Sequence, residues 1–179
     1  MPDAHNKKIL IVGLFPPPYS SGERVITQYV NDLLAPIYDV TAINMSIGIL
    51  APPSFKLSSI SYYFKTLINF IFVFKKVYFL TRNHQYSLCY LTPSSSSLGH
   101  LRDAIIVKLL NKNVKSLVIN IQNGNYDVVF KRGWHSQLTM AYIKRITTAI
   151  FTSEILKKRC IDDFGEDKCA IIRNSVDDK

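Results

Sequence analysis

The chain of 179 residues has few of the residue patterns that identify a common type of site. Its three cysteines, Cys89, Cys160 and Cys169, form no CxxC pair, so neither a disulfide framework nor a thiolate metal site is indicated. Neither GxGxxG nor GxxxxGK[ST] occurs, which argues against a classical dinucleotide site or a P-loop. We therefore predict no metal site and no tightly held cofactor.

The chain also lacks the long uncharged segments that direct proteins into or across membranes. Its first residues, MPDAHNKKILIV, contain no apolar stretch of signal-peptide length. The most apolar segment, Ile60 to Leu80, is interrupted by Lys65, Lys75 and Lys76, and a spanning helix needs about 20 largely uncharged residues. We expect a cytoplasmic protein that does not span a membrane.

Acidic residues are scarce as well: 13 Asp and Glu stand against 22 Lys and Arg, for a net charge of +9. This balance predicts an anionic partner, which could be a nucleic acid, an acidic membrane surface or a phosphorylated ligand. We expect no nucleic-acid partner, because no basic stripe with base-stacking aromatics occurs outside the apolar segment. The hydrophobic content of 47% is typical of a globular domain with a real core.

The segment from Ile60 to Leu80, ISYYFKTLINFIFVFKKVYFL, combines many aromatic residues with three lysines. One interpretation is a helix buried against a sheet, which an open α/β fold requires. The other is a helix whose aromatic and lysine-rich face enters a membrane interface, as monotopic anchors do. The second interpretation predicts peripheral contact with the inner face of the cell membrane.

Apolar, β-branched runs alternate with helical periodicity along the whole chain. Lys8 to Gly13 predicts a strand, and a proline-rich loop then leads to a helix that Ser20 or Ser21 can cap. Further strands are predicted at Tyr38 to Met45, Tyr86 to Thr92, Lys115 to Gln122, Thr148 to Thr152 and Asp167 to Ile172. The repeated strand and helix order predicts a single α/β domain, a Rossmann-like open parallel sheet with helices on both faces.

Polar residues follow several predicted strands, at the edge where a parallel sheet binds its ligands. Because parallel strands all end on the same side, we expect these residues to meet along one rim. Asn120 and Gln122 alternate with apolar residues and so share one face of their strand. The candidate substrate-binding residues are Ser21, Gly22, Thr92, Ser94, Asn120, Gln122, Asn123 and Gly124, with Arg102 and Arg173 flanking the rim.

Three further residues have two chemical interpretations each. Arg102 can bind a phosphate or carboxylate bidentately, or it can form a salt bridge on the helix surface, which its residue type favours. His100 is interpreted as a surface residue rather than a ligand. Cys89 lies in an apolar strand and is interpreted as a buried, inert thiol.

Several segments in series resemble the family-four retaining glycosyltransferases of the GT-B fold. They are ILIVGLFPPPYSSGERVITQYVNDLL, YLTPSSSSLGHLRDAIIVKLL, VINIQNG, FTSEILKKRC and CAIIRNSVDD, and they match the N-terminal, acceptor-side half of the family. Members move a sugar from a nucleotide-sugar to an acceptor, often a lipid-linked or cell-surface glycan in polysaccharide biosynthesis, without a metal ion. The resemblance implies an acceptor-binding half whose donor substrate is a nucleotide-sugar.

The resemblance also implies what this half would need from elsewhere. The donor sits mainly in a second Rossmann-like domain that follows the motif matched by Arg173 to Asp177, so the chain is expected to be inactive alone and its catalytic residues are not identified. Ser21 and Gly22 replace the usual glycine pair, and Asn120, Gln122 and Asn123 replace a histidine motif. An alternative is a noncatalytic partner that recruits a separate donor-binding subunit to the membrane.

Overall fold

The structure, a computed structural model, describes residues 7–16, 21–46, 58–94, 96–110, 113–122 and 142–172. Its strands are β1 (Lys8–Gly13), β2 (Asp39–Asn44), β3 (Tyr86–Leu91), β4 (Val114–Ile121), β5 (Thr148–Phe151) and β6 (Cys169–Ile171). Its longer helices are α1 (Gly22–Leu34), α2 (Ser58–Asn83), α3 (Ser97–Leu109) and α4 (Glu154–Phe164).

The strands form one open sheet in the order β2-β1-β3-β4-β5-β6, in which all strands run parallel and helices flank the sheet. Parallel neighbours need a crossover connection between them, and helices supply such connections. β1 and β2 pair in register from Lys8 opposite Asp39 to Gly13 opposite Asn44. The predicted Rossmann-like α/β class is therefore confirmed.

Every predicted strand occurs close to its expected bounds, and the largest difference is at the last one. Asp167 and Lys168 belong to a 3-10 turn, so β6 begins only at Cys169. Gly165 ends α4 with a φ of 84°, a left-handed conformation that glycine adopts without strain. The turn that follows this glycine takes up the residues that a longer strand would have needed.

The chain divides into two compact units. The first contains Met1–Cys89 and Leu109–Lys115, and its core includes β1, whose residues from Ile9 to Val12 are almost wholly buried. A continuous apolar run of this kind is typical of a parallel strand covered on both faces. Cys89 is a fully buried free thiol, as predicted, and burial raises the pKa of this thiol.

The second unit contains Tyr90–Lys108 and Ser116–Lys179, and in it α4 packs against β5 and β6. Phe151 of β5 and Phe164 of α4 meet edge to face, with ring centroids 5.9 Å apart. This geometry is favoured because the positive edge of one ring meets the negative face of the other. Both rings are buried, so the contact anchors α4 to the sheet.

A serine occupies the N-cap position of both α4 and α1, but only one of the two side chains caps its helix. The Ser153 hydroxyl accepts a hydrogen bond from the Leu156 N–H at 3.2 Å, which caps α4. Ser21 occupies the N-cap position of α1, but its side chain makes no capping hydrogen bond, so the predicted serine cap is wrong for this residue. Its backbone carbonyl instead accepts the Arg24 N–H at 2.9 Å, and Ser20 lies outside the described residues.

α2 has one buried stripe and an otherwise exposed surface. Thr66, Val73, Val77 and Thr81 are buried and are spaced as one side of a helix. The exposed large hydrophobic side chains of α2 are Tyr63, Phe64, Leu67, Ile68, Ile71, Phe72, Tyr78 and Phe79. In the part of the chain that the structure describes, no helix combines the length and the apolarity needed to cross a bilayer.

The buried Tyr86 hydroxyl generates a stability prediction. Tyr86 is 1% exposed, and its hydroxyl has no hydrogen-bond partner in the described ranges. Tyr86→Phe should raise the free energy of unfolding by about 1 kcal/mol, because it removes a buried polar atom that water solvates in the unfolded chain. Urea denaturation followed by circular dichroism measures the change.

The matched control for this prediction is Tyr29→Phe. Tyr29 is 66% exposed, so removing its hydroxyl should change the free energy of unfolding by less than about 0.5 kcal/mol. A loss of stability in Tyr86→Phe that exceeds the change in the control would show that the Tyr86 hydroxyl has a stabilising partner.

Candidate functional site

The predicted site residues fall into three groups. Ser21 and Gly22 lie in the first unit, where both are exposed at the start of α1. A Cβ at Gly22 would meet no atom within 4 Å, so the backbone there is open to approach. The residues of the second unit are Thr92, Ser94, Arg102, Asn120 and Gln122, whereas Asn123, Gly124 and Arg173 lie outside the described residues. The complete rim therefore stays a prediction.

The loop from β3 to α3 contains Ser94 and Ser96. The Ser96 hydroxyl accepts a hydrogen bond from the Gly99 N–H at 3.1 Å, so its side chain caps the start of α3. The Ser94 and Ser96 hydroxyls lie 3.0 Å apart. A Cβ at Gly99 would collide with the Ser94 side chain, so glycine is needed for the helix to start this close to the loop.

Arg102 and Asp103 form a buried ion pair, which corrects the expectation of a salt bridge on the helix surface. The side chains are 7% and 0% exposed. Arg102 donates from Nε and Nη2 to Asp103 Oδ1 at 2.8 and 2.7 Å. The other oxygen, Oδ2, accepts the Ser94 N–H at 2.6 Å. The pair is therefore buried, and Asp103 holds the β3–α3 loop against α3 through the Ser94 N–H.

The electrostatics of this pair combine opposing effects. Burial raises the pKa of the Asp103 carboxyl above its usual value. The charge of Arg102, the Ser94 N–H and the Arg102 hydrogen bonds act in the opposite direction. One edge of the guanidinium, formed by Nε and Nη2, is committed to Asp103, so the cation that was predicted to attract phosphate is paired within the protein.

His100 is buried, so the expectation of a surface residue is wrong. Its ring is 0% exposed and meets Tyr142 edge to face, with ring centroids 5.7 Å apart. His100, Asp103, Val107 and Leu110 are all buried, and their spacing of three and four residues follows one side of α3. That spacing was visible in the sequence and indicates burial better than the residue type does.

The end of β4 holds two amide side chains, as predicted. Asn120 is 5% exposed, and its Nδ2 donates to the Tyr90 hydroxyl at 2.5 Å. Asn120 Oδ1 and Gln122 Nε2 are buried without a hydrogen-bond partner. Asn120 and Ile150 are register partners in the β4–β5 pair, so Asn120 is part of the paired sheet rather than a free loop residue.

Sequence reasoning missed Tyr90 and Asp103. Tyr90 was treated as one residue of an apolar strand, yet its hydroxyl holds the Asn120 amide. Its position two residues before Thr92 is the available signal, because alternate residues of a strand share a face. Asp103 was overlooked because an acidic residue next to an arginine on a helix is usually solvated.

The arrangement offers hydrogen-bonding atoms and no obvious acid or base. Amide groups donate and accept hydrogen bonds but do not titrate. Within the described ranges, no cluster of three or more His, Cys, Asp or Glu residues is placed to hold a metal ion. The described part of the site is therefore suited to binding a polar ligand, and it shows no group placed for proton transfer.

The buried ion pair generates a prediction on stability. Asp103→Asn should lower the free energy of unfolding by about 3 kcal/mol, because it leaves the buried Arg102 guanidinium without its counter-charge. Chemical denaturation of this variant, of Arg102→Met and of the double variant forms a complete cycle. The double variant should lose less than the sum of the two single losses. Strictly additive losses would contradict the ion pair as the source of the effect.

Comparisons with known proteins do not assign the chain to a family. No protein-family model matches the chain, and no curated protein matches it significantly. The functional argument therefore depends on the described geometry and on the segments that resemble the glycosyltransferase family.

Proposed function

We propose that the chain is the acceptor-binding half of a glycosyltransferase, which moves a sugar from a nucleotide-sugar to a glycan or lipid-linked acceptor. The observation that carries the proposal is the parallel sheet with hydrogen-bonding side chains at the ends of β3 and β4. Thr92 and Asn120 are buried there, and Ser94 and Gln122 lie beside them in sequence. Parallel sheets bind their ligands at this edge, and neutral hydroxyl and amide groups suit a sugar.

The proposal includes a second half that supplies the donor site. Sugar transfer requires stabilisation of the negative charge that develops on the leaving diphosphate. Arg102 is buried, and its Nε and Nη2 donate to Asp103, so its charge is already paired within the chain. A separate donor-binding domain or subunit would supply such groups, so the 179-residue chain alone should not transfer sugar.

The proposal also includes peripheral contact with an anionic membrane surface through α2. The exposed apolar side chains of this helix include Phe64, Phe72 and Phe79, which are 63%, 66% and 68% exposed. Exposed aromatic side chains beside lysines are typical of helices that lie in the membrane interface. A membrane location would bring the site close to a lipid-linked acceptor.

Charge complementarity supports this location. α2 contains no acidic residue, and Lys65, Lys75 and Lys76 are exposed on it. Each lysine near an anionic bilayer contributes about 1 kcal/mol of attraction at physiological ionic strength. The long lysine stems can lie along apolar surface while their ammonium groups reach the lipid phosphates.

Binding to a glycan array tests the proposed acceptor function. The purified chain should bind a subset of neutral or lipid-derived glycans, and it should bind nucleotide-sugars only weakly, because the proposed donor site lies elsewhere. Fluorescence on the array and calorimetric titration of nucleotide-sugars measure the two. Tight nucleotide-sugar binding without any glycan binding would contradict the proposal, as would sugar transfer by the chain alone.

Charge reversal tests the membrane contact. Lys75→Glu with Lys76→Glu should weaken binding to vesicles of phosphatidylcholine and phosphatidylglycerol by more than about tenfold, since each reversal replaces attraction with repulsion. Co-sedimentation at two salt concentrations measures the loss. Lys157→Glu with Lys158→Glu on α4 is the matched control, because it changes the net charge by the same amount at another helix.

The comparison between the two double variants decides the result. The α4 variant should keep most of the vesicle binding of the unaltered chain. Equal losses in the α2 and α4 variants would mean that net charge alone attracts the protein, and that α2 is not the contact surface.

A further inference from the structure

Two buried polar atoms at and just after the end of β4 have no hydrogen-bond partner among the residues that the structure describes. They are Asn120 Oδ1, an acceptor, and Gln122 Nε2, a donor. Leaving such an atom unsatisfied costs folding free energy, so an unpartnered pair indicates that a partner arrives later. Asn120 lies in β4, and Gln122 follows directly after Ile121, the last residue of this strand. A single ligand with neighbouring polar groups could therefore satisfy both.

The anchoring of Asn120 makes it one fixed point of such a site. Its amide nitrogen donates to the Tyr90 hydroxyl at 2.5 Å, which leaves the amide oxygen for another group. If the amide were turned by half a rotation, the oxygen would accept from Tyr90 and the nitrogen would be left instead. In both orientations, one polar atom of Asn120 lacks a partner.

The two possible orientations of the Asn120 amide limit which kinds of ligand group can satisfy it. A hydroxyl group both donates and accepts, so it satisfies either orientation of each amide. A phosphate or carboxylate oxygen only accepts, so it satisfies Asn120 only in the orientation that leaves the amide nitrogen without a partner. A cation satisfies Asn120 only in the other orientation, and it would leave the Gln122 donor without an acceptor.

The charges of the described polar groups near the end of β4 also favour a neutral ligand. Arg102, the cation buried within α3, is paired with Asp103. The described polar groups at the end of β4 are amides and a tyrosine hydroxyl, which carry no charge. Anion binding in proteins depends on charged donors or on helix N-termini, and neither is among these groups.

We propose that Asn120 and Gln122 bind two neighbouring neutral hydroxyl groups of a sugar, with Tyr90 holding Asn120 in position. This inference rests on the proposed function and narrows it, since it assigns these residues to a sugar ring rather than to a phosphate of the acceptor. Gln122 and Asn120 are then specificity residues, because a ring that lacks either hydroxyl leaves a buried amide unsatisfied.

The same geometry separates binding from stability. Replacing Gln122 by an apolar residue of similar size removes a buried polar atom that has no partner among the described residues, so it should not reduce stability. The same replacement removes the hydrogen bond to the ligand, so ligand binding and stability should change independently at this position. Asn120 differs, because its replacement also removes the hydrogen bond to the Tyr90 hydroxyl.

The experiment is a titration of the full 179-residue chain with small probes, followed by the side-chain amide signals in nitrogen-15 NMR spectra. The neutral probes are methyl glucoside, methyl galactoside and methyl mannoside, and the anionic probes are inorganic phosphate and glucose 1-phosphate. At least one neutral glycoside at millimolar concentration should shift the Asn120 and Gln122 amide signals, and inorganic phosphate should leave them in place.

Variants test the same site with a second readout. Gln122→Met and Asn120→Leu should each weaken binding of that glycoside by about five- to tenfold, the effect of a lost neutral hydrogen bond. Tyr90→Phe should move the Asn120 amide signal in the free protein and weaken binding of the glycoside, because Asn120 loses its hydrogen bond to the Tyr90 hydroxyl. Tyr86→Phe is the control, since it removes an unpartnered buried hydroxyl in the other unit and should not change glycoside binding.

The outcomes separate this inference from the proposed function. If the chain binds glycans on the array while no neutral glycoside shifts either amide, the inference is wrong and the acceptor function survives. If inorganic phosphate shifts both amides and the glycosides do not, the site binds anions and the inference is also wrong. If no glycan binds on the array, the proposed function fails, and the inference fails with it.

Discussion

Parallel strand pairing is the constraint on which the rest of the structure depends. A parallel strand can meet its neighbour only after the chain has crossed back, so every strand of this sheet ends at the same edge. The strand interiors are then covered and become apolar, as the run from Ile9 to Val12 shows. Polar side chains that follow the strands, such as Ser94 and Gln122, are concentrated where the backbone leaves the sheet. Ligands of parallel sheets bind at this edge, which is why a binding site is proposed there before any particular side chain is considered.

Two buried polar side chains of the second unit, Asp103 and Asn120, differ in how far their hydrogen-bonding atoms are satisfied. Asp103 uses both carboxylate oxygens, one for Arg102 and one for the Ser94 backbone, and so converts a costly buried charge into a fixed loop. Asn120 has only half of its amide satisfied, through Tyr90. In the first arrangement, both carboxylate oxygens accept hydrogen bonds within the protein. The second is incomplete, and an incomplete buried amide is the more informative sign of a ligand.

The sequence was sufficient for the fold class and most strand positions, because apolar β-branched runs and helical spacing are local signals. It was less informative about burial of polar residues. Residue type predicts surface positions for His100 and Arg102, but both side chains are buried in the structure. The Tyr90–Asn120 hydrogen bond joins residues thirty positions apart, and no local pattern records such a contact. The residues Asn123, Gly124 and Arg173 lie outside the described ranges, so their part of the site remains a sequence prediction.

The exposed surface of α2 is the basis of the proposed membrane contact. One stripe of the helix, including Val73 and Val77, is buried, whereas aromatic side chains on its other sides, such as Phe64, Phe72 and Phe79, are largely exposed. A helix interior to a larger protein would also cover such side chains, but Lys75 and Lys76 would then lose their hydration at a high cost in free energy. A membrane interface accepts both, because aromatic rings enter its apolar layer while ammonium groups stay among the phosphates. The composition of α2 therefore favours a lipid surface over a second protein core.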